Sequence, residues 1–106
     1  MSSIDELVTV EAVEEAIGAD PHVVLDMWGH FCAPCRALRP VLEELAQERT
    51  DWRFVAVNIE DVPAVADKFG VRATPTILLF KDGAEVDRSG GFIMPADLTA
   101  RMDKAV

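Results

Sequence analysis

The sequence predicts an α/β fold, a central mixed five-stranded sheet flanked by four helices. Three observations predict it. Short, nearly unbroken apolar runs at Val23-Val24-Leu25, Phe54-Val55-Ala56-Val57 and Thr76 to Phe80 read as buried strands. Between them lie stripes of helical spacing, of which Leu38, Val41, Leu42 and Leu45 is the clearest. The segments follow one another as β-α-β-α-β-α-β-β-α, an order that describes a mixed sheet with helices on both faces.

A first short strand is expected near Glu6 to Thr9. Thr9 can cap the helix that follows, whose stripe is Val10, Val13 and Ile17 and whose end is Gly18. Asp20-Pro21 is a turn. The run from His22 to Trp28 is a buried strand interrupted by one charge, Asp26. Past Cys35 a helix reaches about Arg49 with Pro40 inside it. That proline lacks the N–H that would bond the Arg36 carbonyl, which predicts a kink. Trp52 to Ile59 is the next strand, and its apolar centre suggests burial on both faces. Val62, Val65, Ala66 and Phe69 mark a short helix stopped by Gly70. After the strand from Thr76 to Phe80, the tight turn Lys81-Asp82-Gly83-Ala84 sends Glu85 to Arg88 back as a hairpin partner, and Gly90-Gly91 breaks it. A last helix runs from about Pro95 to Ala105 with Leu98, Met102 and Ala105 inward. No repeat, low-complexity tract or linker appears, so residues 1–106 are expected to form a single domain.

Half of the 106 residues are hydrophobic, which excludes disorder. The net charge of −9 argues against nucleic acid or anionic lipid as a partner; its plain reading is a soluble surface. No run approaches the roughly 18 apolar residues of a membrane span. Met1-Ser2-Ser3-Ile4-Asp5-Glu6 has neither a basic nor an apolar leader segment, so no signal peptide and a cytoplasmic location are expected; a mature secreted fragment would differ only at Met1. Two cysteines do not make a disulfide scaffold. In a reducing compartment such a pair is catalytic or metal-binding.

Those two cysteines lie in Trp28-Gly29-His30-Phe31-Cys32-Ala33-Pro34-Cys35-Arg36. A strand whose terminal turn opens a helix puts Cys32 at the helix N-terminus, where unpaired amides and the dipole favour an anion and lower a thiol pKa. Cys35 follows one turn later on the same side. That spacing suits a disulfide, whose Cα atoms lie roughly 4.4–6.8 Å apart. Zinc is the competing reading, but a closed site needs about four ligands, and only His22 and His30 remain as imidazoles. Pro34 in the first helical turn loses little by lacking an N–H. Asp26 inside an apolar strand should titrate high if buried. A solvent-facing or turn-capping Asp26 is the alternative. His30 reads as a solvated loop histidine, or as a positive charge near Cys32 below about pH 6.5. Arg36 sits against the helix dipole but could favour a thiolate. Phe31, just before the helix, should be exposed as an apolar rim for partner proteins. Trp28 is either core or site. Gly91 either admits a partner chain or is an ordinary turn glycine.

Val24-Leu25-Asp26-Met27-Trp28, Cys32-Ala33-Pro34-Cys35, Pro40, Asn58-Ile59-Glu60, Phe69-Gly70-Val71, Ala73-Thr74-Pro75-Thr76, Phe80-Lys81-Asp82-Gly83 and Gly91 together resemble the thioredoxin family over nearly the whole chain. The resemblance implies the thioredoxin fold and a protein-disulfide reductase that cycles between dithiol and disulfide. Cys32 would attack a substrate disulfide and Cys35 would resolve the mixed disulfide. Asp26 would take the Cys35 proton through water. The Thr74-Pro75 bond would be cis and packed against the cysteines, with the Thr74 backbone pairing to the substrate chain. Trp28, Phe31, Ala33 and Gly91 would flank that chain. No cofactor would be bound; a thioredoxin reductase would deliver electrons from NADPH to a monomer acting on disulfide-containing proteins.

Three departures stand out. Phe31 replaces the usual Trp, which bears on partner contacts. Ala33 replaces the usual Gly, which should alter the redox poise modestly. Ala56 stands where many members carry a Lys beside the buried acid, so Asp26 is expected to lack a cationic neighbour and to titrate higher still. The alternatives are a non-catalytic binding module on the same fold and a disulfide-forming oxidant. The oxidant would need a strongly stabilised reduced state.

Overall fold

Apolar runs that can bury both faces demand cover on both, and helices alternating with strands supply it. A computed structural model describes residues 3–106. Met1 and Ser2, which carry part of the signal-peptide reading, lie outside the described residues. The elements are β1 (Asp5–Leu7), α1 (Val10–Ala19), β2 (His22–Trp28), α2 (Ala33–Glu48), β3 (Arg53–Asn58), α3 (Pro63–Phe69), β4 (Thr76–Lys81), β5 (Ala84–Gly90) and α4 (Pro95–Ala105). The strands form one sheet in the order β1-β3-β2-β4-β5. β1 and β2 run parallel to β3, whereas β4 is antiparallel to both β2 and β5. The predicted mixed five-stranded sheet and its four helices are therefore present.

The period of two along β2 divides the core. Val23, Leu25 and Met27 face α1 and α3, packing with Val13, Ala16, Ile17 and Val65. Val24 faces the other way, with Leu38, Leu42 and Leu45 of α2 and Leu98 and Met102 of α4. Asp26 shares that second face. Pairing in register puts Glu6 opposite Ala56, Ala56 opposite Asp26 and Asp26 opposite Ile77, a single row across four strands. One small residue thus separates two acids.

Several boundaries differ from the sequence reading for identifiable reasons. β1 stops at Leu7 because Thr9 is needed elsewhere: its Oγ1 accepts from the Ala12 amide at 3.0 Å as the cap of α1. α1 continues past Gly18 to Ala19. α2 agrees with the reading: it is one helix through exposed Pro40 to Glu48, with Arg49 as its C-cap. β3 ends at Asn58, whose side chain turns the chain by accepting from the Glu60 and Asp61 amides at 2.8 and 3.2 Å. The hairpin partner is longer than expected and reaches Gly90, with a register shift at Leu79/Phe80. Gly70 does end α3, in the left-handed conformation at φ 65°.

Two glycines should respond with opposite signs to the same change, since a Cβ at either would meet open space. Gly18→Ala, in an exposed right-handed helix, is expected to stabilise by about 0.5–1 kcal/mol. Gly70→Ala, forced into the left-handed region, is expected to destabilise by about 1 kcal/mol. Urea denaturation of the two variants, with unchanged m-values, checks both.

Candidate active site

β2 is the middle strand, and its C-terminal end leads directly into the cysteine loop. Cys32 is the N-cap of α2, with extended backbone, and its Sγ accepts from the Cys35 amide at 3.2 Å. Pro34 has no N–H to offer, so the amide available to a capping atom is that of Cys35. The first helical bond runs from the Arg36 amide to the Cys32 carbonyl at 3.2 Å. A disulfide joins Cys32 and Cys35, with Cα atoms 5.2 Å apart, inside the range expected from the spacing. Both residues are largely covered, at 6% and 5% exposure, while Phe31 beside them is 97% exposed. Ala33 and Pro34 are exposed as well.

The loop is tied down from below. The Glu60 carboxylate accepts from the His30 amide, and a Cβ on buried Gly29 would come within 2.8 Å of that carboxylate and 3.4 Å of Thr74 Oγ1. Glycine at 29 therefore serves close approach rather than flexibility. The same contact sets half-buried Thr74 beside the loop. The Thr74-Pro75 bond is cis, as the resemblance implied. The Pro75 carbonyl accepts from the Gly91 amide at 2.8 Å, and Gly91 has φ 80°. Gly91 is a turn glycine by conformation, and it also lies against Pro75. His30 is not simply solvated: its ring lies 3.0 Å from Asp61 Oδ1, and that hydrogen bond and charge raise its pKa.

Asp26 is buried, at 3% exposure, which removes the solvent-facing alternative. Burial pushes its carboxyl from an ordinary 3.8 up to about 7; Arg39 pulls it down and Glu6 pushes it up, each less strongly. The expectation that Asp26 would have no cationic neighbour is overturned. Arg39 Nη2 lies 3.4 Å from Asp26 Oδ2, and Arg39 Nη1 lies 2.7 Å from Glu6 Oε1. The cation beside Asp26 thus comes from α2, not from β3, where Ala56 stands. Trp28 belongs to this cluster and to the core edge alike. Its ring carries the Arg39 guanidinium at 5.4 Å, its indole N–H donates to Glu6 at 3.2 Å, and it packs against the α2/α4 core. A cleft of about 300 Å³ is lined by Glu6, Trp28, His30, Cys35, Arg36 and Arg39.

Sequence reasoning missed Arg39, Glu6 and Gly29. Arg39 had a signal, since it stands four residues after Cys35 on one helical stripe. Glu6 had none, because its place depends on the β1–β3 register. Among the described residues no group of three or more His, Cys, Asp or Glu side chains is placed to hold a metal ion.

The geometry agrees with comparisons to known proteins. The thioredoxin family model matches residues 6–104. Thioredoxin 1 of Synechococcus elongatus is 37% identical over 92 residues, covering 86% of each chain. Among solved structures, mitochondrial thioredoxin 3 of Saccharomyces cerevisiae in its oxidised form superimposes with a TM-score of 0.88 at 29% identity, covering 96% of this chain and 95% of that one. A mutant thioredoxin of Halobacterium salinarum gives 0.90 at 27% identity, covering 98% and 93%.

The raised Asp26 pKa has a stability signature. Below pH 3.8 the carboxyl is neutral folded and unfolded, and the site imposes no penalty. As pH rises from there to about 7 the unfolded chain ionises and the folded one resists, so stability falls. Asp26→Asn should therefore stabilise by about 2–4 kcal/mol at pH 8 and by less than about 1 kcal/mol at pH 4. Chemical denaturation at the two pH values measures the difference, and a pH-independent effect would contradict burial of the charge.

Proposed function

The chain belongs to the thioredoxin family and is a thiol–disulfide oxidoreductase that reduces protein disulfides, and we propose that Cys32 attacks, Cys35 resolves and Asp26 takes the resolving proton. The observation that carries the assignment is the Cys32–Cys35 pair at the N-terminus of α2, close enough to bond, with the first sulfur as the helix cap.

In the reduced protein a Cys32 thiolate is favoured by the Cys35 amide and the dipole of α2. It attacks one sulfur of a substrate disulfide, forming a mixed disulfide and expelling the other sulfur as a thiolate that picks up a proton. The Cys35 thiol then passes its proton through water to the Asp26 carboxylate. The resulting Cys35 thiolate attacks Cys32 Sγ, expels the remaining substrate sulfur and closes the internal disulfide. Two electrons leave the cysteine pair and two thiols appear on the substrate. A carboxyl that titrates near 7 suits this work, because near neutral pH it both accepts and returns a proton.

The surface around the pair supports an extended polypeptide as substrate. Phe31 projects from the loop, and Phe92 and Met94 are exposed between β5 and α4, next to Gly91. Thr74, before cis-Pro75, offers backbone for a chain lying alongside. Ala33 and Trp28 complete the surroundings. The chemistry needs no prosthetic group, and family membership implies disulfide substrates and a reductase that restores the dithiol. In our reading that reductase is a thioredoxin reductase drawing on NADPH, and the protein works as a monomer in the cytoplasm. The net charge of −9 and the charged edge strands, with Asp5 and Glu6 on β1 and Glu85, Asp87 and Arg88 on β5, support solubility without edge pairing. Among the described residues no helix is long and apolar enough to cross a membrane.

Insulin reduction with dithiothreitol tests the assignment. The wild type should accelerate the reaction, and Cys32→Ser should fall to background. Cys35→Ser should lose turnover by about a hundredfold or more while accumulating a mixed disulfide visible on a non-reducing gel. A wild type no faster than dithiothreitol alone would reject the reading.

A further inference from the structure

Arg39 is held in more ways than a surface cation needs. Its Nη1 lies 2.7 Å from Glu6 Oε1 and its Nη2 lies 3.4 Å from Asp26 Oδ2. Its guanidinium sits 5.4 Å from the centre of the Trp28 ring, and Trp28 Nε1 donates to the second Glu6 oxygen at 3.2 Å. The contacts close a ring: Glu6 grips Arg39 with one oxygen and Trp28 with the other, and Arg39 lies over Trp28. Three elements, β1, β2 and α2, contribute. Buried Ala56, between Glu6 and Asp26 in the cross-strand row, has no side chain long enough to intervene.

The surroundings of Asp26 leave few other charges to act on it. β3 and β4 place Ala56 and Ile77 beside it, and α4 supplies Leu98 and Met102 to the same core. The charged groups are Glu6 from β1 and Arg39 from α2, with His30 and Arg36 on the rim of the cleft that Arg39 shares with Cys35. Arg39 follows Cys35 by one helical turn on the same stripe. Asp26 Oδ1 is buried with no protein partner, so Arg39 is the only cation paired with this carboxyl among the described residues.

We propose that Arg39, clamped by Glu6 and Trp28, is a positioning residue that sets how readily Asp26 takes the Cys35 proton during resolution. This rests on the reading of Asp26 as proton acceptor. A fixed positive charge favours the carboxylate, which is the form able to accept. Without it the carboxyl stays protonated to higher pH and Cys35 keeps its proton longer. The clamp matters because a free arginine would swing into water and its field would be screened.

The test measures two titrations in wild type, Arg39→Met and Arg39→Lys. One is the Asp26 carboxyl midpoint, followed by carbon-13 NMR of the full-length protein. The other is the pH dependence of resolution, followed by stopped-flow release of thionitrobenzoate from a mixed disulfide on Cys32. Arg39→Met should raise the Asp26 midpoint by about one pH unit and displace the resolution profile to higher pH by a similar amount. Arg39→Lys should recover much of both shifts, because it restores the charge without the fork. In an Asp26→Asn background, Arg39→Met should leave the resolution profile where Asp26→Asn alone puts it. An unmoved Asp26 midpoint in Arg39→Met overturns the proposal, as does a moved midpoint with an unmoved resolution profile. The underlying reading fails separately, if Asp26→Asn by itself resolves the mixed disulfide at the wild-type rate. Arg39→Lys guards against misreading a packing defect, since loss of the stem's contacts would not be reversed by charge.

Discussion

The Cys35 amide points at Cys32 Sγ from 3.2 Å, and much of the fold keeps that sulfur at the head of a helix. β2 can bring it there because it is the central strand, hydrogen-bonded on both sides and packed on both faces. Its far end is therefore fixed, and the turn from Gly29 to Phe31 has little freedom. Glu60 binds that turn from the end of β3, and Thr74 abuts it ahead of β4. Each neighbouring strand of β2 thus contributes one support to the loop. α2 is anchored through Leu38, Leu42 and Leu45, so the helix end that meets the sulfur is as rigid as the core beneath it.

Asp26 shows the opposite priority. A carboxyl in the middle of a buried strand weakens the fold at neutral pH, and the protein offsets only part of that with one 3.4 Å contact. A closer, bidentate arginine would favour the carboxylate more strongly; none at all would leave the acid protonated to higher pH. The partial compensation leaves it titrating where a proton can be passed in either direction. The opposing pull of Glu6 contributes to that balance.

Most of the fold was legible in the sequence because its signals are local. Apolar runs gave the strands, the Leu38 to Leu45 stripe gave α2, and Gly70 marked the end of α3. The cysteine pair, the cap position and the exposure of Phe31 follow from spacing and neighbours alone. The cis bond at Thr74-Pro75 was legible only through family resemblance, since most bonds before proline are trans. What escaped was decided by register. Glu6 reaches Arg39 only because β1 pairs with β3 so that Glu6 faces Ala56. Ala56 was read as the loss of a cation, when the small side chain sits in a row that a cation from the helix above also serves. The role of Gly29 likewise depends on Glu60 and Thr74, which are distant in sequence.

The two sulfurs belong to residues only three apart. A cross-link over so short a span removes less freedom from the denatured ensemble than one closing a long loop. On chain-entropy grounds, making or breaking it shifts the folding equilibrium by about 2 kcal/mol, less than half of what a loop of roughly 100 residues would contribute. That step is spent outside the two apolar cores, neither of which includes Cys32 or Cys35.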